Sequence, residues 1–404
     1  MRLNLFKSKD NIFKGIYIVQ IMLMIDAVFK IFGLETSQLL SFVRYLFYFL
    51  GVIWMFKGVI KNHTKTPALY VLFLLWVTYI LISALPELSN PLQNYVRFKA
   101  FISGLLFIYS LPYLICADIS ISTFRSIFIL SSYMIVAYIV LAIPIYITDS
   151  TFRTVGLSEF ITFFIEGSVL MLMSASYQKK NTNVKTVIAV VVAIIIMLLF
   201  ARRNKVAYYG VGLGLAIALN VLIGHVSRRK KVLIIFSTFT GLCFLLLSGD
   251  LFGDFFNKME TGMSSREIVI EDFHNDFNKT PNDWIFGRGL FGEFDAGLLN
   301  NENTGLRDAI ENGYLQLILK GGWIWLGLLI LISINSIYKG LFQSNNVFVK
   351  GCACLLLLYF VDMIGFGVPV ASLKYIMIFL SISVCTSPRW RSYTDEELKQ
   401  QLAI

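Results

Sequence analysis

The chain has 404 residues, 57% of them hydrophobic and 15% charged, with a mean hydropathy of +0.71 and a net charge of +10. Soluble domains run at about 45–50% apolar and about 25% charged. A water-soluble core is therefore excluded for much of this surface, and lipid must be its solvent. In such a chain the surplus of Lys and Arg marks the cytoplasmic side of a membrane rather than a nucleic-acid surface.

A spanning helix needs about 20 mostly apolar residues. On that criterion the sequence predicts an all-α polytopic membrane protein of about twelve spans. The runs are 15–33, 38–56, 67–85, 99–117, 126–148, 157–176, 184–201, 206–225, 231–249, 313–336, 347–366 and 369–386. The first is long and carries Asp26 and Lys30, so it reads as a span and not as a cleaved leader. Residues 1–249 hold spans one to nine. Residues 250–310 form a large extracytoplasmic loop, 311–386 hold spans ten to twelve, and 387–404 form a tail.

Alternate connections read KSKDNIFK, KGVIKNHTK, STFR, SYQKKNTNVK, SRRKK and YKGLFQSNNVFVK, followed by the tail SPRWRSY. They fall on one side, which the positive-inside rule makes cytoplasmic, with both termini inside. The opposite side holds LETS, PELSNPLQNYVR, ITDSTFRTVG, ARRNK, GFGVP and the large loop. Arg153, Arg202, Arg203 and Lys205 lie there in short connections where the rule disfavours cations. Binding an anion is one reason for them; snorkelling to lipid phosphates is the ordinary alternative. Arg266, Arg288 and Arg307 lie in the long loop, where the rule is silent.

Within the large loop, SSREIVIEDFHNDF reads as an amphipathic helix behind a Ser264 or Ser265 cap. TPNDWIFGRGLFGEF reads as a turn region, in which Gly287, Gly289 and Gly292 permit positive φ or close backbone approach. Downstream, Asp308 and Glu311 stand just before an apolar run. Their spacing fits a capping box with Asp308 as N-cap, and equally a carboxylate held at a helix terminus as a general base. His274 is a lesser candidate base.

Intramembrane carboxylates are costly and count as functional candidates. Glu159 and Glu166 are seven apart, so they share a helix face, with Glu166 roughly 10 Å deeper. They are placed to line a cavity for polar groups or to pair with Arg44. Asp26 and Lys30 have the spacing to neutralise each other, and Asp362 is expected to meet water near the end of its span. Cys116, Cys243, Cys352, Cys354 and Cys385 sit in or beside apolar runs and suggest neither a disulfide framework nor a zinc site. No metal constellation is legible: His63, His225 and His274 fall on different segments.

SSRE, WIFGRGLFGEF and ENGYLQLILKGGWIWLGLLI occur in that order. With RTVG at 153–156 and ARRNKVAYY at 201–209, they resemble the O-antigen ligase and polymerase family, over roughly residues 150–340. Ligases of that family carry His where this chain has Glu311, so the resemblance is nearer to the Wzy-type polysaccharide polymerases. It implies a glycosyltransferase in the bacterial cytoplasmic membrane that joins undecaprenyl-pyrophosphate-linked repeat units, without metal or other cofactor. A chain-length regulator protein is an implied partner. The implied site has Glu311 as base, with Asp308 as fallback, and Arg203, Arg202, Arg266 and Arg153 on the pyrophosphate. Glu159, Glu166, Asn312, Tyr314 and Arg288 line the substrate cavity. Two alternatives stay open: a ligase passing glycan to another acceptor, and a flippase for the same lipid-linked oligosaccharide.

Overall fold

A computed structural model describes residues 10–31, 38–63, 67–89, 94–147, 162–199, 202–223, 267–297, 305–365 and 369–402. Among them, seven helices are long and apolar enough to cross a membrane: Asn11–Phe29, Phe42–Lys61, Ala68–Leu88, Ile121–Ala142, Lys180–Leu199, Gly313–Phe342 and Val347–Gly365. This is an all-α, multi-pass architecture, its only strand pairing among the described residues being Phe294–Asp295 with Leu306–Arg307. Leu106–Cys116, Phe163–Met173 and Leu373–Thr386 are shorter apolar helices. The expected run 231–249 lies outside the described residues.

Two expected spans are broken where the sequence allows it. The 99–117 run divides into a π-turn at Phe101–Leu105, a helix at Leu106–Ser110 and a 3-10 turn at Leu111–Cys116. Gly104 leaves helical geometry inside it, and Pro112 cannot donate to a continuing ladder. The 157–176 run contains the short helices Thr162–Ile165 and Ser168–Met173, separated at Gly167.

Helix packing uses small residues. Asn11–Ile31 and Gln38–Lys61 approach closely because Gly15, Gly51 and Gly58 have no side chain: a Cβ on Gly15 would lie 2.5 Å from the Gly51 carbonyl. The outer face of the second helix exposes Phe42, Leu46, Phe49 and Ile53 at helical spacing, while Tyr48, Val52, Met55 and Val59 are buried. An apolar stripe of that kind is stable only against lipid.

The basic connections meet at one end. Asp118 N–H donates to the Asn62 carbonyl at 2.8 Å, and Trp390 Nε1 donates to Ile119 O at 2.7 Å. Asn346 Nδ2 donates to Trp390 O and Tyr393 O at 2.9 and 3.0 Å. Asp395 accepts from Val347 N at 2.9 Å and from the Tyr177 hydroxyl. The tail is therefore not loose: it forms the helices Pro388–Ser392 and Asp395–Leu402 and packs back with Trp390 buried.

The other end is organised by one glycine pair. Gly313–Phe342 runs 30 residues, but Gly322 (φ 67°, ψ −174°) breaks it. From Gly322 to Phe342 is roughly 30 Å at 1.5 Å per residue, a full hydrocarbon thickness. Gly313 nevertheless packs on Met363, near the far end of Val347–Gly365. The segment 313–321 therefore folds across the end of the bundle instead of projecting beyond it.

Candidate active site at the loop end of the bundle

The helix that follows the large loop begins at Gly313, not at Asp308. Asn312 is its N-cap, its side-chain oxygen accepting from the N–H groups of Tyr314 (3.0 Å) and Leu315 (3.2 Å). The expected Asp308–Glu311 capping box is thereby corrected. An Asx side chain adjacent to the first turn reaches both orphan donors more directly than one four residues earlier. Gln316 ties the preceding segment down, accepting from Ile310 N at 2.9 Å and donating to Asp308 O at 3.3 Å. Glu311 and Asp308 are both exposed beside this cap.

Tyr314 donates its hydroxyl to Phe360 O at 2.8 Å. Five residues on, Gly365 O accepts from Asn204 Nδ2 at 2.6 Å. The last turns of Val347–Gly365 are thus gripped from both sides. One side is the Glu311–Tyr314 stretch, the other is Arg202–Lys205, which opens the helix Arg203–Ile217. Two motifs more than a hundred residues apart in sequence hold the last two turns of the same helix. Arg202 is half-buried there, and Arg203 is the first helical residue.

Beneath these turns lie two ion pairs. Glu166 Oε1 accepts from Lys205 Nζ at 2.7 Å, and Asp362 Oδ2 accepts from Lys374 Nζ at 2.8 Å. The Lys374 ammonium also stands 4.9 Å from the centre of the Tyr208 ring. Two expectations are corrected here. Glu166 pairs with Lys205 rather than Arg44. Arg44 binds Asp26 at 2.9 Å, while the side chain of Lys30, the expected partner of Asp26, lies outside the described residues. Asp362 does not meet water: it is buried and paired. Each buried carboxylate takes the nearest cation in space, and a buried charge without one would be far costlier. Glu166 Oε2 and the Tyr208 and Tyr209 hydroxyls are buried with no hydrogen-bond partner among the described residues. Lys205, Lys374 and Asp362 are the residues that sequence reasoning left out of the site. The available signal was charge inside apolar runs, but their partners lie on different helices, so no spacing revealed them.

Arg288 is placed elsewhere. Its guanidinium donates to Asp283 Oδ2 (2.7 Å), Asp276 Oδ2 (2.5 Å), Glu293 O (2.8 Å) and Thr280 Oγ1 (3.2 Å), and lies over the Phe277 ring. It is a clasp inside the loop, correcting its expected place in the cavity, because five donors in a fixed fork suit two carboxylates and a carbonyl. Partial burial alone would raise the Asp276 carboxyl. The Arg288 hydrogen bond, the Asp295 N–H and the Arg288 charge hold it below the ordinary range. Burial would lower the guanidinium, but the two carboxylates raise it.

The loop is docked through the glycine break. Arg288 N donates to Leu319 O at 2.7 Å, Trp76 Nε1 to Gly321 O at 2.8 Å, and Lys320 Nζ to Gly292 O at 2.8 Å. Gly287 (φ 72°) approaches so closely that a Cβ would lie 2.5 Å from Gly321 N. The helix of residues 267–279 agrees with the expected amphipathic segment, and Gly287 and Gly289 have the expected positive φ. The expected turn at TPNDWIF is instead a short helix, Pro281–Phe286. Arg153, Glu159, Arg266 and the side chain of Arg203, with the Ser264 and Ser265 caps, lie outside the described residues. Among the described residues, no group of three His, Cys, Asp or Glu is placed to hold a metal ion. No family model, curated protein or solved structure matches the chain.

Proposed function

We propose that this chain is a membrane glycosyltransferase. It polymerises undecaprenyl-pyrophosphate-linked oligosaccharide units into a surface polysaccharide at the outer face of the bacterial cytoplasmic membrane. The observation that carries this reading is the meeting of Arg202–Lys205 with Glu311–Tyr314 around the last two turns of Val347–Gly365. Cations suited to a pyrophosphate and a carboxylate suited to a hydroxyl flank these turns at the bundle's end. A lipid carrier can reach that point with its tail still in the bilayer.

In the reaction, a hydroxyl oxygen of one repeat unit attacks the anomeric carbon of the growing chain. The bond from that carbon to the pyrophosphate oxygen breaks, and its electron pair leaves with the phosphate. Glu311 accepts the hydroxyl proton. Arg202, with Arg203 beside it in sequence, is assigned to the charge that develops on the leaving pyrophosphate, since guanidinium groups bind phosphate oxygens in pairs. Positive charge from arginine does this without metal or cofactor. The Glu166–Lys205 pair fixes the first turn of the arginine-bearing helix. Asp308 is the fallback base, and a chain-length regulator is the expected protein partner.

The test is complementation of a bacterial strain that lacks the protein and makes the matching repeat unit. Wild type should restore a glycan ladder on a gel. Glu311→Gln and Arg203→Ala, at equal membrane levels, should leave single capped units. Long chains accumulating on the lipid carrier in the null strain would point to the ligase. Normal ladders from both variants would remove Glu311 and Arg203 from the site.

A further inference from the structure

The large loop is not confined to water. Ala68–Ser83 exposes Leu72, Leu75, Tyr79 and Ile82 along one side, an apolar face that only acyl chains can cover. The loop follows this helix inward. Gly289 lies against the Ser83 hydroxyl, whereas Phe286 lies against Trp76, with ring centroids 6.1 Å apart. Ser83 and Trp76 are seven residues apart, so between Gly289 and Phe286 the loop descends roughly 10 Å along the helix axis. The docking of Ile285 and Gly287 on the Gly321–Gly322 break fixes that depth.

At the bottom of the descent the side chains divide. Asp283 turns toward Arg288 and Asp276. Ile285 and Phe286 are each 46% exposed, large and apolar. Phe286 is one ring away from lipid-facing Tyr79, since Trp76 makes tilted ring contacts with both, at 5.0 Å from Tyr79. Trp323, also exposed, stacks on Trp284 at 6.3 Å from the other side. Aromatic residues at this level mark the headgroup boundary.

We propose that Pro281–Phe286 dips into the outer leaflet, with Ile285 and Phe286 among the acyl chains. The descent of roughly 10 Å fits the depth of about 5–10 Å at which interfacial segments bury their apolar side. Their apolar surface is continuous with the lipid-facing side of Ala68–Ser83, which is why lipid rather than a protein partner is the occupant. The inference rests on membrane placement alone and is independent of the chemistry proposed above.

Nitroxide labels test it in the full chain, with its five cysteines replaced and the protein in phospholipid nanodiscs. Ile285→Cys and Phe286→Cys are compared with Leu75→Cys as the lipid reference and Lys279→Cys as the water reference. Relaxation by oxygen against relaxation by a water-soluble nickel chelate should group 285 and 286 with 75. Grouping with 279, or shielding from both reagents, would overturn the proposal. A photoreactive phenylalanine analogue at 286 gives a second reading that disturbs the fold less. Lipid adducts are expected, and adducts confined to protein or water would count against it.

Discussion

At the basic end of the bundle, the chain satisfies many of its own polar groups, although Gln178 Oε1 and Arg391 Nε are buried without a hydrogen-bond partner among the described residues. Asn346, Trp390, Asp395 and Tyr177 take up carbonyls and N–H groups left over at helix ends. Charges there such as Lys179, Lys180 and Arg389 are exposed. At the loop end, the Asp362–Lys374 pair is buried and Glu166 Oε2 has no hydrogen-bond partner among the described residues. A spanning helix is also broken by a left-handed glycine, to be mended by groups from the loop and from Trp76. Burying charge and breaking a helix both cost stability. Among the described residues, the loop end carries both costs together, which marks it off from the basic end as a candidate working surface.

The largest expected stability effect is at the buried pairs. Lys374→Met leaves Asp362 without its cation, and removing one partner of a buried pair costs about 3–5 kcal/mol. A sharp fall in folded yield by size-exclusion chromatography is expected. Lys374→Met with Asp362→Leu should recover much of that yield while leaving transfer impaired. Recovery of both would make the pair scaffold, not site.

Next is Gly322→Ala. A side chain there takes a strained left-handed φ and strikes the Ile285 carbonyl, at an expected cost of roughly 1–3 kcal/mol. The loop should become sensitive to protease while the spans stay folded. Unchanged protection would show that the glycine break does not hold the loop.

A smaller effect is expected from pH on the same loop. The folded Asp276 carboxyl lies below its unfolded value. Its contribution is therefore fully present above the ordinary aspartate value of about 3.9 and is lost as pH falls through the folded one. The raised Arg288 stays protonated throughout that window. Loop protection should be level from neutral pH to about 4 and weaken below it. Asp276→Asn should flatten that loss, and an unaltered profile would assign it to other carboxylates.

The smallest effect is at the basic end. Arg389→Ala removes an exposed pair with Asp118, and such pairs are worth about 0–1 kcal/mol. Folded yield and transfer should both stay close to wild type, and a large loss of transfer would undo the division between the ends.

Much of the fold was legible because lipid imposes a length and a composition on every span. The runs that became continuous helices, such as 184–201 and 347–366, read directly from hydropathy. The runs broken at Gly104, Pro112 and Gly167 did not, since apolar content is blind to backbone continuity. The grouping of the basic connections followed from charge and is matched by the contacts among Asn62, Asp118, Asn346 and Asp395. Less of the candidate site was legible. Asn312 and Glu166 stood out as polar residues at apolar runs, but Glu166–Lys205 and Asp362–Lys374 are decided by packing between helices. Arg288 looked like a free cation in sequence because Asp276 and Asp283 give no local sign of converging on it.

The most direct measurement is transfer by the purified protein in nanodiscs, supplied with lipid-linked repeat units. Polymer yield is read for wild type, Glu311→Gln at the loop end and Arg389→Ala at the basic end. Loss of a general base should lower the Glu311→Gln rate about 10²–10⁴-fold, with Arg389→Ala within about twofold of wild type, as its weak exposed pair implies. Equal yields from wild type and Glu311→Gln would mean that the carboxylate beside the Asn312 cap takes no part in the reaction.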